Sequence, residues 1–160
     1  MIRWQSVAEA AHGTSLAALV VTVVLDPAAG MRGAPDWSGW LTGQQRLDRV
    51  MSRVMPPLFL SATATAAAAA VAAAGGRQWP RAAGRAIATG CTAAAIAVTL
   101  RTNEPLNARL RGWRPLDAPP DDWRTVRAQW ESGHRRRQVL VAAAALASVA
   151  GQIAARGRSR

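Results

Sequence analysis

Four apolar runs, at about 7–25, 57–74, 82–100 and 139–155, alternate with polar stretches along this chain. Each approaches the roughly 20 residues a helix needs to cross a bilayer at about 1.5 Å per residue. The second and fourth carry no charge, whereas the first contains Glu9 and His12 and the third has Arg85 near its start. Residues 61–74, SATATAAAAAVAAA, offer no polar face beyond small hydroxyls. A soluble bundle would alternate polar positions along each helix. Alanine at this density suits helices that approach closely in lipid. The pattern therefore predicts an all-α, integral membrane four-helix bundle occupying residues 1–160 as a single domain.

The polar stretches have patterns of their own. In 26–56, Gly30, Gly33 and Pro35 mark turns, and 38–55 reads as an amphipathic helix. Leu41, Leu47, Val50, Met51 and Val54 are its apolar positions. Such a piece lies on the membrane, caps the bundle or forms a plain solvated loop helix. Pro56 and Pro57 then open the second span, since a first helical turn tolerates proline. The third span is expected to end at Asn103-Glu104-Pro105, because proline disfavours helical backbone at the residue before it. Asn103 and Asn107 either cap helix ends or point into a site. After Pro119-Pro120, Asp121 is a natural N-cap, and one helix is expected to run from Asp122 into the fourth span.

That last helix carries a stripe. Trp123, Arg127, Trp130, His134 and Arg137 follow one another at spacings of four, three, four and three, which puts all five on one face. One reading is an interfacial helix, with tryptophan at headgroup depth and arginine on lipid phosphates. The other is the wall of a polar pocket. Glu131 has a simple explanation in pairing with Arg127 or Arg135, four residues away on either side.

Composition narrows the partners. The 160 residues carry a formal charge of +11 with no lysine, a balance that would ordinarily indicate nucleic acid or an anionic membrane surface. Here the arginines sit between long apolar runs, so a lipid bilayer is the expected partner and nucleic acid is not; homo-oligomerisation stays open. All seven tryptophans fall outside the apolar runs, as an interfacial belt would place them. The single cysteine, Cys91, excludes an internal disulfide and a CxxC metal site. Glu9 and His12 ahead of the first apolar core argue for a retained helix rather than a cleaved signal peptide. The nearly unopposed arginines at the two termini favour cytoplasmic ends, and a bacterial inner membrane is the expected setting.

Candidate chemistry then has few sources. Glu-x-x-His occurs at Glu9/His12 and Glu131/His134, the spacing used by di-iron centres in helical bundles. The two pairs begin on opposite faces of the membrane, some 20 Å apart, so a shared centre is not expected. The sequence requires no cofactor, and a mononuclear metal at one histidine remains open. Glu9, an ionisable residue in a span, gives an alternative function as a small proton-coupled transporter. A non-catalytic membrane accessory protein is the third possibility.

The Asn103-x-Pro105-x-Asn107 step, followed by Trp130, His134 and Arg137 in a W-x-x-x-H-x-x-R run, resembles the anthrone oxygenase-like family of small four-span membrane proteins. The resemblance implies an oxygenase that uses O2 on a small aromatic substrate, polyketide-derived in the family's known pathways. It implicates Asn103, Asn107, Trp130 and His134 as catalytic and Arg137 as substrate-binding; Trp123 and Arg127 join the substrate-binding set from the stripe alone. A histidine with a pKa of about 6.5 suits a general base. Asparagine amides and arginine suit an enolate-like anion.

Overall fold

The computed structural model describes residues 2–157, which form helices and connecting turns; there is no strand among them. The helices are α1 (Ile2–Leu25), α2 (Ala29–Arg32), α3 (Trp37–Gly75), α4 (Trp79–Val98), α5 (Glu104–Arg111) and α6 (Trp123–Gly157). A five-residue π-helical turn, Thr99–Asn103, joins α4 to α5. Four stretches, Trp4–Arg32, Trp37–Gly75, Trp79–Arg111 and Trp123–Gly157, are long and apolar enough to cross a membrane. The chain is an integral membrane four-helix bundle.

Close approach of small residues holds the spans together. On α3, Ala62, Ala66, Ala69 and Ala73 are at most 1% exposed and form a seam one turn apart. Where α4 crosses α6, Gly84 meets Gly151: a Cβ on Gly84 would lie 2.5 Å from the Ala147 carbonyl oxygen, and one on Gly151 would lie 2.6 Å from that of Pro80. Only glycine lets these two backbones touch. In lipid, where apolar burial gives little net drive, such van der Waals contact supplies much of the association.

Two expected boundaries fall elsewhere. The amphipathic 38–55 segment is helical, but it is continuous with the second span, and Pro56 and Pro57 sit inside α3 rather than at its start. Both prolines are exposed, and packing of the helix on either side of them holds it in one piece. Its buried stripe also differs, running through Trp37, Trp40, Leu41, Gln44 and Asp48, while Val50 and Val54 face outward. The third span likewise continues past Asn103-Glu104-Pro105. The π-helical turn carries the Glu104 N–H to the Thr99 carbonyl, five residues back, and this widening makes room for Pro105 in the first turn of α5.

The tryptophans divide between the two ends. Trp37, Trp40, Trp123 and Trp130 are buried and form, with Met31, Leu41, Leu110 and Val126, an apolar core at the end where α3 and α6 begin. Trp37 stacks edge-on against Trp123, ring centroids 5.6 Å apart, and lies 5.2 Å from Trp113. Trp4 and Trp79, at the other end, are each 62% exposed and match an interfacial belt. The belt expected of all seven is thus replaced at one end by an aromatic plug, because long helical extensions cover it.

Candidate functional site

A cavity of about 470 Å³ opens beneath the aromatic plug, between α1, α3, the π-helical turn and α6. Its polar wall holds Gln44, Asn107, Trp130, His134 and Arg137, and its apolar wall includes Val23, Met51, Met55, Phe59 and Ile96. This size and mix suit a small, largely apolar ligand oriented by a few polar groups. Leu60 and Leu100, 62% and 64% exposed, also line it, so its rim opens at the apolar outer face of the bundle.

His134 is held from three directions. Its ring stacks on Trp130 with centroids 5.3 Å apart and planes 6° from parallel. Arg137, one turn further along α6, places Nη2 at 3.0 Å from His134 Nδ1. A guanidinium only donates, so Nδ1 must be the accepting nitrogen and a neutral ring carries its proton on Nε2. That nitrogen faces Asp26 Oδ1 at 3.4 Å. Asp26 adopts a φ of +38°, a left-handed conformation uncommon for a non-glycine residue, where the chain turns out of α1. Its carboxylate is clamped by both Nη atoms of Arg32. Arg137 Nε is buried and has no hydrogen-bond partner.

The two asparagines do different work, and neither caps a helix. Asn107 Oδ1 accepts from Trp130 Nε1 at 2.7 Å and from Gln44 Nε2 at 3.0 Å. With the oxygen so occupied, the amide orientation is fixed and its NH2 is the group left for a ligand. Asn103, 1% exposed, lies behind the cavity wall and donates to the Trp130 carbonyl at 3.1 Å. It nests against Gly133, where a Cβ would stand 2.6 Å from Asn103 Oδ1. The two acidic side chains on the cavity wall, Asp48 and Glu104, are both bonded by Arg111 at 2.9 and 2.6 Å.

Of the seven residues singled out from the sequence, the structure gathers Asn107, Trp130, His134 and Arg137 on the cavity wall, with Asn103 directly behind. Trp123 and Arg127 lie apart from the cavity. Trp123 packs into the aromatic plug. Arg127 donates to the carbonyls of Ala34 and Arg32, pairs with Glu131 and lies over the Trp40 ring, tying the α2–α3 connection to α6. Asp26 and Gln44 are the polar neighbours that sequence reasoning missed. Gln44 had a signal, since it occupies the stripe of Trp37, Trp40, Leu41 and Asp48 on α3. Asp26, at the edge of an apolar run, had none.

Glu9 and His12 belong to the far end of the bundle. Glu9 is paired with Arg85 at 2.6 Å, and His12 Nε2 meets Ser148 Oγ at 3.1 Å. Ser148 lies fourteen residues beyond His134 on α6, or about 21 Å at the helical rise. The two histidines therefore share no centre. Among the described residues, no three His, Cys, Asp or Glu side chains gather as a set able to hold a metal.

The model of the anthrone oxygenase family matches residues 46–147, more than half of the chain. The chain belongs to that family. The match includes Asn107, Trp130, His134 and Arg137, and it leaves out Gln44 and Asp26. Comparison with curated proteins and with solved structures gave no match.

Proposed function

We propose that this member of the anthrone oxygenase family oxidises the activated methylene of an anthrone-like aromatic substrate to a carbonyl with O2, in the cavity around His134. The single observation that carries the reading is a histidine whose two nitrogens are committed to a guanidinium and a carboxylate, in an apolar chamber beside a fixed amide donor.

In the resting arrangement Arg137 covers the lone pair of His134 Nδ1. A substrate whose carbonyl oxygen sits near Arg137 and the Asn107 amide draws the guanidinium onto itself and exposes that lone pair. Nδ1 then takes a proton from the activated C–H, and the electron pair passes into an enolate held by Arg137 and Asn107. The developing imidazolium keeps its Nε2–H toward Asp26, which balances the charge. The anion supplies the electrons for reaction with O2: a C–O bond forms, and the imidazolium returns its proton to the distal oxygen, giving a hydroperoxide. His134 then removes the second hydrogen from the same carbon as a proton. The C=O bond forms, the O–O bond breaks, and hydroxide leaves to be protonated to water. The sum is CH2 plus O2 to C=O plus H2O. Entry past Leu60 and Leu100 suits a planar apolar substrate dissolved in lipid. We place the protein in a bacterial inner membrane with both termini cytoplasmic, in keeping with the excess of arginine over acidic residues near its two ends.

The test is O2 uptake and quinone absorbance with an anthrone, using purified protein in nanodiscs. His134→Ala is expected to lower turnover by about 10²–10⁴-fold while leaving the helical circular-dichroism spectrum unchanged. Turnover that persists in a folded His134→Ala protein would overturn the assignment.

A further inference from the structure

At the end of the bundle opposite His134, α1 packs chiefly on α3 and α6 on α4. Between α1 and α6 this leaves a furrow of about 780 Å³. Its floor is small and apolar, with Gly13 and Ala17 from α1 and Ala145 from α6. A Cβ on Gly13 would meet nothing within 4 Å, so the floor is open there.

Its inner wall is a polar network that is almost closed. Arg85 donates through Nε and Nη2 to Glu9 Oε2 at 3.2 and 2.6 Å. It also reaches the Ser148 carbonyl at 3.0 Å and Gln152 Oε1 at 2.8 Å. Two buried atoms are left over, Glu9 Oε1 and His12 Nδ1, and His12 is only 1% exposed. A buried polar atom without a partner is costly, and both residues line the furrow.

The chemistry of the missing partner is constrained. Glu9 and Arg85 neutralise each other, every nitrogen of Arg85 already donates and four of its five N–H bonds are taken, and Arg156 has an interaction of its own. An anion would therefore meet a carboxylate oxygen rather than a free donor. Depth points the same way. His12 is ten residues into α1 from Ile2, about 15 Å along the axis, below the level of lipid phosphates. We infer that this furrow binds a neutral, hydroxyl-bearing molecule from the lipid phase, a phenol or quinol head with an apolar tail. Its hydroxyl donates to Glu9 Oε1, and a second oxygen, where present, meets His12 Nδ1. The furrow and the His134 cavity share no lining residue.

The probe is 4-decylphenol, titrated calorimetrically into phosphatidylcholine nanodiscs with and without the protein, and compared with 4-decylanisole, which lacks only the donor. The phenol is expected to bind saturably and about tenfold more tightly than the ether, the difference a hydrogen bond to a carboxylate supplies. Gly13→Leu, which fills the floor one turn along α1 from Glu9 and keeps both Glu9 and Arg85, is expected to remove the saturable binding. Equal affinity of phenol and ether, unchanged binding to Gly13→Leu, or displacement of the phenol by phosphatidylglycerol would each overturn the proposal.

Discussion

The two ends of the bundle each bury a histidine near an arginine and a carboxylate, and they connect them differently. At the His12 end the arginine grips the carboxylate directly, and the histidine is tied only to Ser148. At the His134 end the arginine lies on the histidine itself, and the carboxylate faces the other ring nitrogen. In the first arrangement opposite charges cancel across three helices, which fastens α1, α4 and α6 to one another. In the second, Asp26 is shared between Arg32 and His134, so Arg137 stands without a carboxylate of its own among the described residues and with a free Nε. The same residue types thus build a clamp at one end and a charge awaiting an anionic partner at the other.

Removing one half of the clamp is the largest perturbation of this contrast. Arg85→Met leaves Glu9 as a half-buried, uncompensated carboxylate and is expected to destabilise the protein by about 1–3 kcal/mol. Glu9→Gln combined with Arg85→Met is expected to recover most of that loss, since no charge then remains to be paired. Unfolding in mixed micelles with increasing dodecyl sulfate measures both. Turnover per folded molecule is expected to stay within about twofold, because the cluster lies roughly 20 Å from His134. A double variant no more stable than the single one would show that Glu9–Arg85 is not a clamp.

How far the sequence disclosed these ends is uneven, and the reasons are physical. The spans were legible because bilayer thickness sets a length that 57–74 and 139–155 display directly. The stripe from Trp123 to Arg137 was legible because helical period needs no tertiary knowledge. What the period could not say is which part of the stripe meets a cavity. Trp123 and Arg127 share its face, yet they lie under the α2–α3 connection, whose path depends on the turn at Asp26. Asp26 itself was invisible, since its partnership with His134 spans 108 residues and a backbone turn that no local pattern signals. The continuity of α3 through Pro56 and Pro57 was missed for a related reason. Proline is read as a boundary from local sterics, whereas here packing on either side outweighs it.

At the His134 end, the next effects in size concern what holds the histidine. Asp26→Asn keeps an acceptor for Nε2–H but removes the charge that balances an imidazolium. It is expected to lower kcat by about 10–100-fold, the range of ~1.4–2.8 kcal/mol of charge-assisted bonding, with KM little changed. An unchanged kcat would reduce Asp26 to an anchor for Arg32. Gly133→Ala pushes its new methyl group against the Asn103 amide, expected to cost about 1–3 kcal/mol of stability. Because Asn103 supports Trp130 through its carbonyl, turnover is expected to fall as well, and Asn103→Ala in the same chain to restore stability but not turnover.

The smallest expected effect falls on the cavity wall of α3. Pro56 has no N–H, so the Ser52 carbonyl one turn earlier lacks its helical partner, and both residues line the cavity. Pro57 releases the Arg53 carbonyl in the same way, but neither of those residues is on the wall. Helix geometry therefore leaves one acceptor on the substrate's side and one turned from it. Pro56→Ala returns an N–H to Ser52 and is expected to raise KM for a hydroxylated anthrone by a factor of about 2–10, the worth of one neutral hydrogen bond, with kcat unchanged. Pro57→Ala restores the same kind of backbone bond and is expected to leave KM alone. Equal KM values for the two variants would mean that the prolines shape the helix and nothing more. A difference confined to Pro56 would show that the chamber orients its substrate from α3 as well as from α6.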